Sequence, residues 1–284
     1  MEQELQKILD SYTQIQNNKP IDDFEGYSAT EMDYILYDTF GEKSPIKLLK
    51  MKESDYNSIP ILNIIKYTCT LIENEGEIKL TQTGALSRRI VLDIYAKGFF
   101  KEDFIEKGYV KLLKEADSII IHLCKNLILV SKLVKVRNNK ISMTESGRKI
   151  IGNNHELLKL IFLTFGHRFN MAYYDLYGDN NIGNIGFGYS IFLVSRFGVV
   201  KRPGTYYSKK YFRAFPNLLS SLVPNYYHSA ESQADSCYSL RTFERFFDYF
   251  GLINIKYSGK WHTDVSLIKT ELFDKLIKCS KHKS

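Results

Sequence analysis

The chain has 284 residues, a mass of 33.0 kDa and a formal net charge of +7, from 39 Lys and Arg against 32 Asp and Glu. With 44% hydrophobic and 25% charged residues it has the profile of an ordinary globular protein of one large or two smaller domains, which excludes collagen-like, disordered and heptad-dominated chains. The Met-Glu-Gln-Glu start lacks the basic and apolar regions of a signal peptide, and the most apolar stretch, 118–134, is interrupted by His122, Lys125 and Asn126. A cytoplasmic protein without a membrane span is expected.

In chain order, the first expected helix covers Glu2 to Ile15, followed by a polar linker, Asn17 to Pro20. Ser28-Ala-Thr-Glu31 reads as a capping box that starts a short helix through Tyr37. Gly41 and Pro45 break the pattern, and an irregular stretch to Pro60 is expected. Residues 1–56 hold 12 acids and 6 bases, whereas the remaining 228 hold 20 acids and 33 bases. An acidic segment ahead of a basic body points to a polyanionic partner or to a solvated basic surface.

Beyond Pro60, Ile61, Leu62, Ile64, Ile65, Cys69 and Ile72 recur at helical spacing and stop at Gly76. Then Ile78-Lys79-Leu80-Thr81-Gln82-Thr83-Gly84 recurs, offset by 63, as Ile141-Ser142-Met143-Thr144-Glu145-Ser146-Gly147. Each copy reads as a short alternating strand whose Thr caps the next helix. A partner strand, Leu133 to Arg137, joins the second copy through Asn138-Asn139, which suits a tight turn at positive φ. The long helix Glu115 to Lys132 precedes this hairpin. The order helix, strand, helix, helical insertion, helix, strand, turn, strand, helix is that of a winged helix.

Lys79-Leu80-Thr81-Gln82-Thr83-Gly84-Ala85-Leu86 resembles the K-L-T-x-x-G-x-L element of a family of uncharacterised bacterial winged-helix-like proteins. The resemblance covers residues 20–153 and implies a fold without a biochemical role.

The C-terminal half reads as an apolar helix around Leu157 to Leu163, a Gly/Asn-rich loop from Gly178 to Gly188, and helices Phe187 to Arg196 and Tyr206 to Leu222. The winged plan then repeats: helix Leu240 to Phe250, strand Leu252 to Tyr257, turn Ser258-Gly259-Lys260, strand Trp261 to Leu267, helix Thr270 to Lys278. The expected fold class is mainly α with small β-hairpins (α+β), built as two winged-helix-like lobes plus an N-terminal helical segment. The expected division is 1–56, 57–153 and 154–284.

Catalytic constellations are hard to find. The glycines of 183–188 do not have dinucleotide-fingerprint spacing, and there is no phosphate-loop motif. Cys69, Cys124, Cys237 and Cys279 form no C-x-x-C pair, and no two of His122, His155, His167, His228, His262 and His282 lie at i, i+4. No metal or cofactor is expected. Glu77-Ile-Lys79 has the E-x-K form of a nuclease strand with Asp55 upstream, but its spacing is loose and the strand suits the winged helix better.

Two basic groups are the candidates. In the winged unit, Glu115 to Lys132 takes the place of a recognition helix, with the polar stripe Ser118, His122, Lys125, Asn126 and Lys132. The wing adds Lys135, Arg137 and Lys140, and Arg88 and Arg89 open the earlier helix. A buried structural helix is the alternative for Glu115 to Lys132. Further on, no acid lies between Asp179 and Glu231, and Arg196, Lys201, Arg202, Lys209, Lys210 and Arg213 alternate with aromatic residues. Cations on phosphates and rings on bases would suit nucleic acid. The same spacing buries Tyr207, Tyr211 and Phe215 on one helical face and leaves the cations as a wet stripe. The expected function is non-catalytic binding of nucleic acid, DNA rather than RNA, in regulation or in a mobile-element or defence setting. The alternative is a protein-interaction or assembly module, with a protein partner or a homo-oligomer.

Overall fold

The computed structural model describes residues 2–222, 229–258 and 264–282. Helix accounts for 56% and strand for 12%, so the fold is mainly helical with small antiparallel hairpin sheets, α+β. The first elements are α1 (Glu2–Asn17), α2 (Ala29–Tyr37), β1 (Ile46–Leu48), α3 (Glu53–Tyr56), α4 (Pro60–Glu75), β2 (Ile78–Lys79), α5 (Arg88–Ala96) and α6 (Asp103–Glu106). Next come α7 (Ile119–Val130), β3 (Val134–Arg137), β4 (Lys140–Met143), α8 (Glu145–Ile150), α9 (Asn154–His167) and α10 (Phe187–Phe197). The last are β5 (Arg202–Pro203), α11 (Gly204–Ala214), α12 (Ala230–Tyr238), β6 (Ile253–Ser258), β7 (Asp264–Lys269), α13 (Glu271–Leu276) and β8 (Ile277–Cys279). No helix among the described residues is long and apolar enough to cross a membrane.

Two compact units result, and neither is a continuous stretch. One gathers residues 1–49, 180–243 and 253–284; the other gathers 50–179 and 244–252.

In the second unit, α4 starts on Pro60 and buries Ile61, Leu62, Ile64, Ile65, Cys69 and Ile72 along one face. Gly76 ends it at φ 72, a conformation that glycine adopts without steric penalty. The antiparallel sheet has the order β2-β4-β3. Its register sets Ile78 opposite Ile141 and Lys79 opposite Lys140, so the two copies of the sequence repeat are direct neighbours. Their corners nevertheless differ. Thr144 Oγ1 accepts the Gly147 N–H at 2.9 Å and caps α8, as the motif suggests. Thr81 Oγ1 instead accepts the Ala85 N–H at 3.0 Å within a turn, and α5 starts only at Arg88, after Ser87. Gly84 lies at φ +75 in open space, whereas a Cβ on Gly147 would stand 2.1 Å from the Leu133 carbonyl oxygen. The same letter in the two copies answers to two different constraints.

The helix expected over 115–132 is shorter. Residues 115–117 form a 3-10 turn, Ser118 is extended at φ −114, and its hydroxyl caps α7 by accepting the Ile121 N–H. Lys132 sits at φ 59 beyond the C-cap and turns the chain into β3.

In the first unit, the Ser28–Glu31 capping box forms as read. The helix expected from Tyr206 to Leu222 ends at Ala214, because Pro216 cannot continue it; residues 216–221 form a 3-10 segment. Residues 239–247, which run from the first unit into the second, form a π-helix rather than the α-helix expected over 240–250. The second hairpin is present as β6 and β7, with Ile255 opposite Leu267, and β5 extends it to the order β5-β7-β6. The expected turn at Gly259-Lys260 and the start of the strand at Trp261 lie outside the described residues, as do His228 and His262. The final expected helix stops at Leu276 because Ile277–Cys279 pairs with Ile46–Leu48, two strands absent from the sequence reading.

Candidate nucleic-acid interface

Helix α7 buries Ile120, Ile121, Leu123, Cys124, Leu127 and Ile128, and its polar stripe is engaged within the same unit. Ser118 Oγ donates to Glu102 Oε2 at 2.5 Å, and Glu102 Oε1 accepts the Ile119 N–H at 2.9 Å. Burial pushes the Glu102 carboxyl pKa up against these bonds. Glu115, only 2% exposed, accepts the Leu86 N–H at 2.6 Å. Its other oxygen lies 3.5 Å from Lys125 Nζ and 3.8 Å from His122 Nε2. Burial lowers the His122 pKa, and the Glu115 carboxylate opposes that shift. Asn126 Nδ2 donates to the Tyr174 hydroxyl at 2.5 Å, and the Tyr174 ring packs 5.2 Å from the His122 ring. His122, Lys125 and Asn126 therefore hold the insertion and the 171–174 turn against α7.

The β2-β4-β3 sheet is different. Strand alternation puts Lys135 and Arg137 on one face of β3, and the register sets Arg137 opposite Lys140 and Lys140 opposite Lys79. Lys79, Lys140 and Arg137 thus form one cross-strand row, with Lys135 beside it, and all four are exposed. Like charges set directly opposite one another in a sheet are destabilising. Only Lys140 has an acidic partner, Glu77 on the neighbouring strand end. Lys79, Lys132, Lys135 and Arg137 have no ion-pair partner among the described residues. Asn138 and Asn139 take positive φ in the turn, and Asn139 Nδ2 donates to the Leu80 and Thr81 carbonyls at 3.0 and 3.1 Å, tying the hairpin tip to the first repeat. Arg88 and Arg89 are exposed at the start of α5, and Arg89 lies 3.6 Å from Glu75. The sequence reading left out Lys79 as a basic contact. The repeat marked its strand, but it aligns Lys79 with Ser142; only the antiparallel register sets Lys79 opposite Lys140.

In the first unit the basic segment meets an acid. Glu25, with a side chain only 9% exposed, lies 2.6 Å from Lys210 Nζ, 2.7 Å from Arg213 Nη2 and 3.7 Å from Arg196 Nη1. Arg213 also reaches Asp23 at 3.3 Å and donates to the Asp22 carbonyl at 2.9 Å. Tyr207 and Tyr211 are fully buried, so the aromatic face of α11 belongs to the core. Arg202 stacks 4.4 Å above the Tyr206 ring. Lys201 and Lys209 are exposed and unpaired among the described residues.

Residues 180–186 of the Gly/Asn-rich loop pack against the first unit, to which they belong. The Gly183 N–H donates to the Tyr211 hydroxyl at 3.1 Å, that hydroxyl donates to the Ile185 carbonyl at 2.6 Å, and Arg241 donates to the Asn180 and Ile182 carbonyls. A Cβ at Gly186 would come within 2.4 Å of the Phe215 ring. Among the described residues no group of three or more His, Cys, Asp or Glu side chains is placed to hold a metal ion.

Residues 57–156 match the family model described as the Y4jL N-terminal domain. The match covers the span from just before α4 to the start of α9, the β3–β4 hairpin included, and its description carries no activity. No curated protein and no solved structure matches the chain.

Proposed function

We propose that the protein binds nucleic acid, with DNA preferred to RNA, through a winged-helix-like unit whose working surface is the wing. The observation that carries this reading is the exposed row of Lys79, Lys140 and Arg137 with Lys135 beside it. A sheet face that sets cations opposite cations is easiest to understand if a polyanion neutralises it. The order of helices and strands and the β2-β4-β3 sheet support the winged-helix reading. The preference for DNA rests on analogy with that fold. Lys132, Arg88 and Arg89 extend the surface, whereas His122, Lys125 and Asn126 act in holding α7. The proposed role is binding rather than cleavage. Anisotropy titration of labelled duplex DNA at several salt concentrations tests it. Cleavage with magnesium or manganese that is lost in Glu77→Ala would replace binding with a nuclease role.

A second reading has its own observation. The insertion after α5 exposes Phe104, Tyr109, Val110 and Leu113, and the Phe104 and Tyr109 rings lie 6.4 Å apart. An apolar cluster of this kind suits a protein partner. Stoichiometric co-purification of a protein, lost in Phe104→Asp/Tyr109→Asp, would favour an interaction module.

A further inference from the structure

Helix α1 is 16 residues long, about 24 Å at 1.5 Å per residue, and every residue from Gln3 to Ile15 is exposed. A helix of that length without tertiary packing is marginal in water, so its stability has to come from something that covers it. Five large apolar side chains, Leu5, Ile8, Leu9, Tyr12 and Ile15, are between 50% and 65% exposed. The steps Leu5 to Ile8, Ile8 to Tyr12 and Tyr12 to Ile15 alternate three, four and three. Over two heptads that is the spacing of an a, d, a, d seam, with Leu9 at the flanking e position.

We propose that α1 pairs with the α1 of a second copy, making the protein a homodimer. A seam of this kind is self-complementary, and meeting its own copy about a two-fold axis closes the assembly. In a parallel pair each g position faces the following e position of the other helix: Glu4 meets Leu9 and Ser11 meets Gln16, so no like charges are set together. The charges along α1 (Glu2, Glu4 and Asp10 against Lys7) disfavour an anionic lipid surface, which calls for a basic polar face. Five side chains on two heptads cover well under the roughly 800 Å² per partner of a standard stable interface. The dimer is therefore weak and concentration-dependent. It is independent of the nucleic-acid reading.

Sedimentation of the full chain over a wide concentration range tests the pairing. The expected result is a mass that rises up to twofold, while Ile8→Asp/Tyr12→Asp stays at one chain mass and loses no more helical signal than α1 itself supplies, because both positions are exposed. Mild oxidation of Ile8→Cys should give a covalent dimer, and Lys7→Cys, on the opposite side of the seam, should not. Of the native thiols, Cys69, Cys124 and Cys237 are buried. A wild-type chain that stays monomeric throughout overturns the proposal, as does equal cross-linking of both cysteine variants. A monomer that binds lipid vesicles or a stoichiometric protein partner through Ile8 and Tyr12 overturns it too.

Discussion

The β2-β4-β3 sheet and α11 are both rich in cations, and the structure treats them in opposite ways. On the sheet, Lys79, Lys135 and Arg137 reach solvent without an ion-pair partner among the described residues, and Lys140 shares its charge only with Glu77. On α11, Lys210 and Arg213 converge with Arg196 on a single carboxylate, Glu25, from the acidic N-terminal segment. A local excess of positive charge therefore says little about a partner until the acids that fold onto it are known. Glu25 stands 185 residues before Lys210 in the chain, and no window along the sequence contains both.

Four outcomes sharpen or break this contrast. The largest expected effect is at the foot of the β3–β4 hairpin. Gly147→Ala would drive a Cβ into the Leu133 carbonyl, and a loss of about 3 kcal/mol in urea unfolding is expected. Gly84→Ala meets nothing within 4 Å and has only its left-handed backbone to strain, so about 1 kcal/mol is expected. Equal effects at the two glycines would show that their corners are alike after all.

Next comes the α11 cluster. Glu25→Ala leaves three cations facing one another around a nearly buried position. Because the cations are themselves partly exposed, the expected loss is about 2 kcal/mol, below the range for a fully buried pair. Urea unfolding checks it, and an unchanged midpoint would mean that the cluster is held only loosely.

The third outcome is on binding. Lys135→Ala/Arg137→Ala should keep the fold and weaken all DNA sequences alike. The slope of log affinity against log salt should flatten by about 1.8, since each lost phosphate contact contributes about 0.9. Lys210→Ala/Arg213→Ala should leave that slope unchanged, because Glu25 and not phosphate is their partner. A flattened slope in the second pair would make α11 the nucleic-acid surface. The smallest effect is expected for Lys209→Ala, which removes one exposed and unpaired cation. A slope change of at most about 0.9 is predicted, and none if the wing alone makes contact.

Much of the middle of the chain was legible because its signals are local. The Ser28 capping box, the stop at Gly76 and the Asn138-Asn139 turn depend on neighbours a few residues apart, and the repeat of 78–84 at 141–147 shows when the two segments are set side by side. The strands at 46–48 and 277–279 were not legible, because each is three residues long and its partner lies at the other end of the chain. Residues 202–203 escaped notice for a similar reason, as two residues, one of them proline, carry no alternation. The stripe on α7 was visible as polar residues, but not that Glu115 and Tyr174 occupy it. Lys79 shows the same limit: the repeat marked its strand, but its place in the basic row follows only from the antiparallel register.

The most direct test of the wing as the binding surface is the salt dependence of duplex DNA affinity for the wild-type chain beside Lys135→Ala/Arg137→Ala. With Lys79, Lys135, Arg137 and Lys140 each meeting one phosphate, the wild-type slope should be roughly −3.6 and that of the double variant about half as steep. Identical slopes in the two proteins, or no salt-dependent binding by the wild type, would contradict the account.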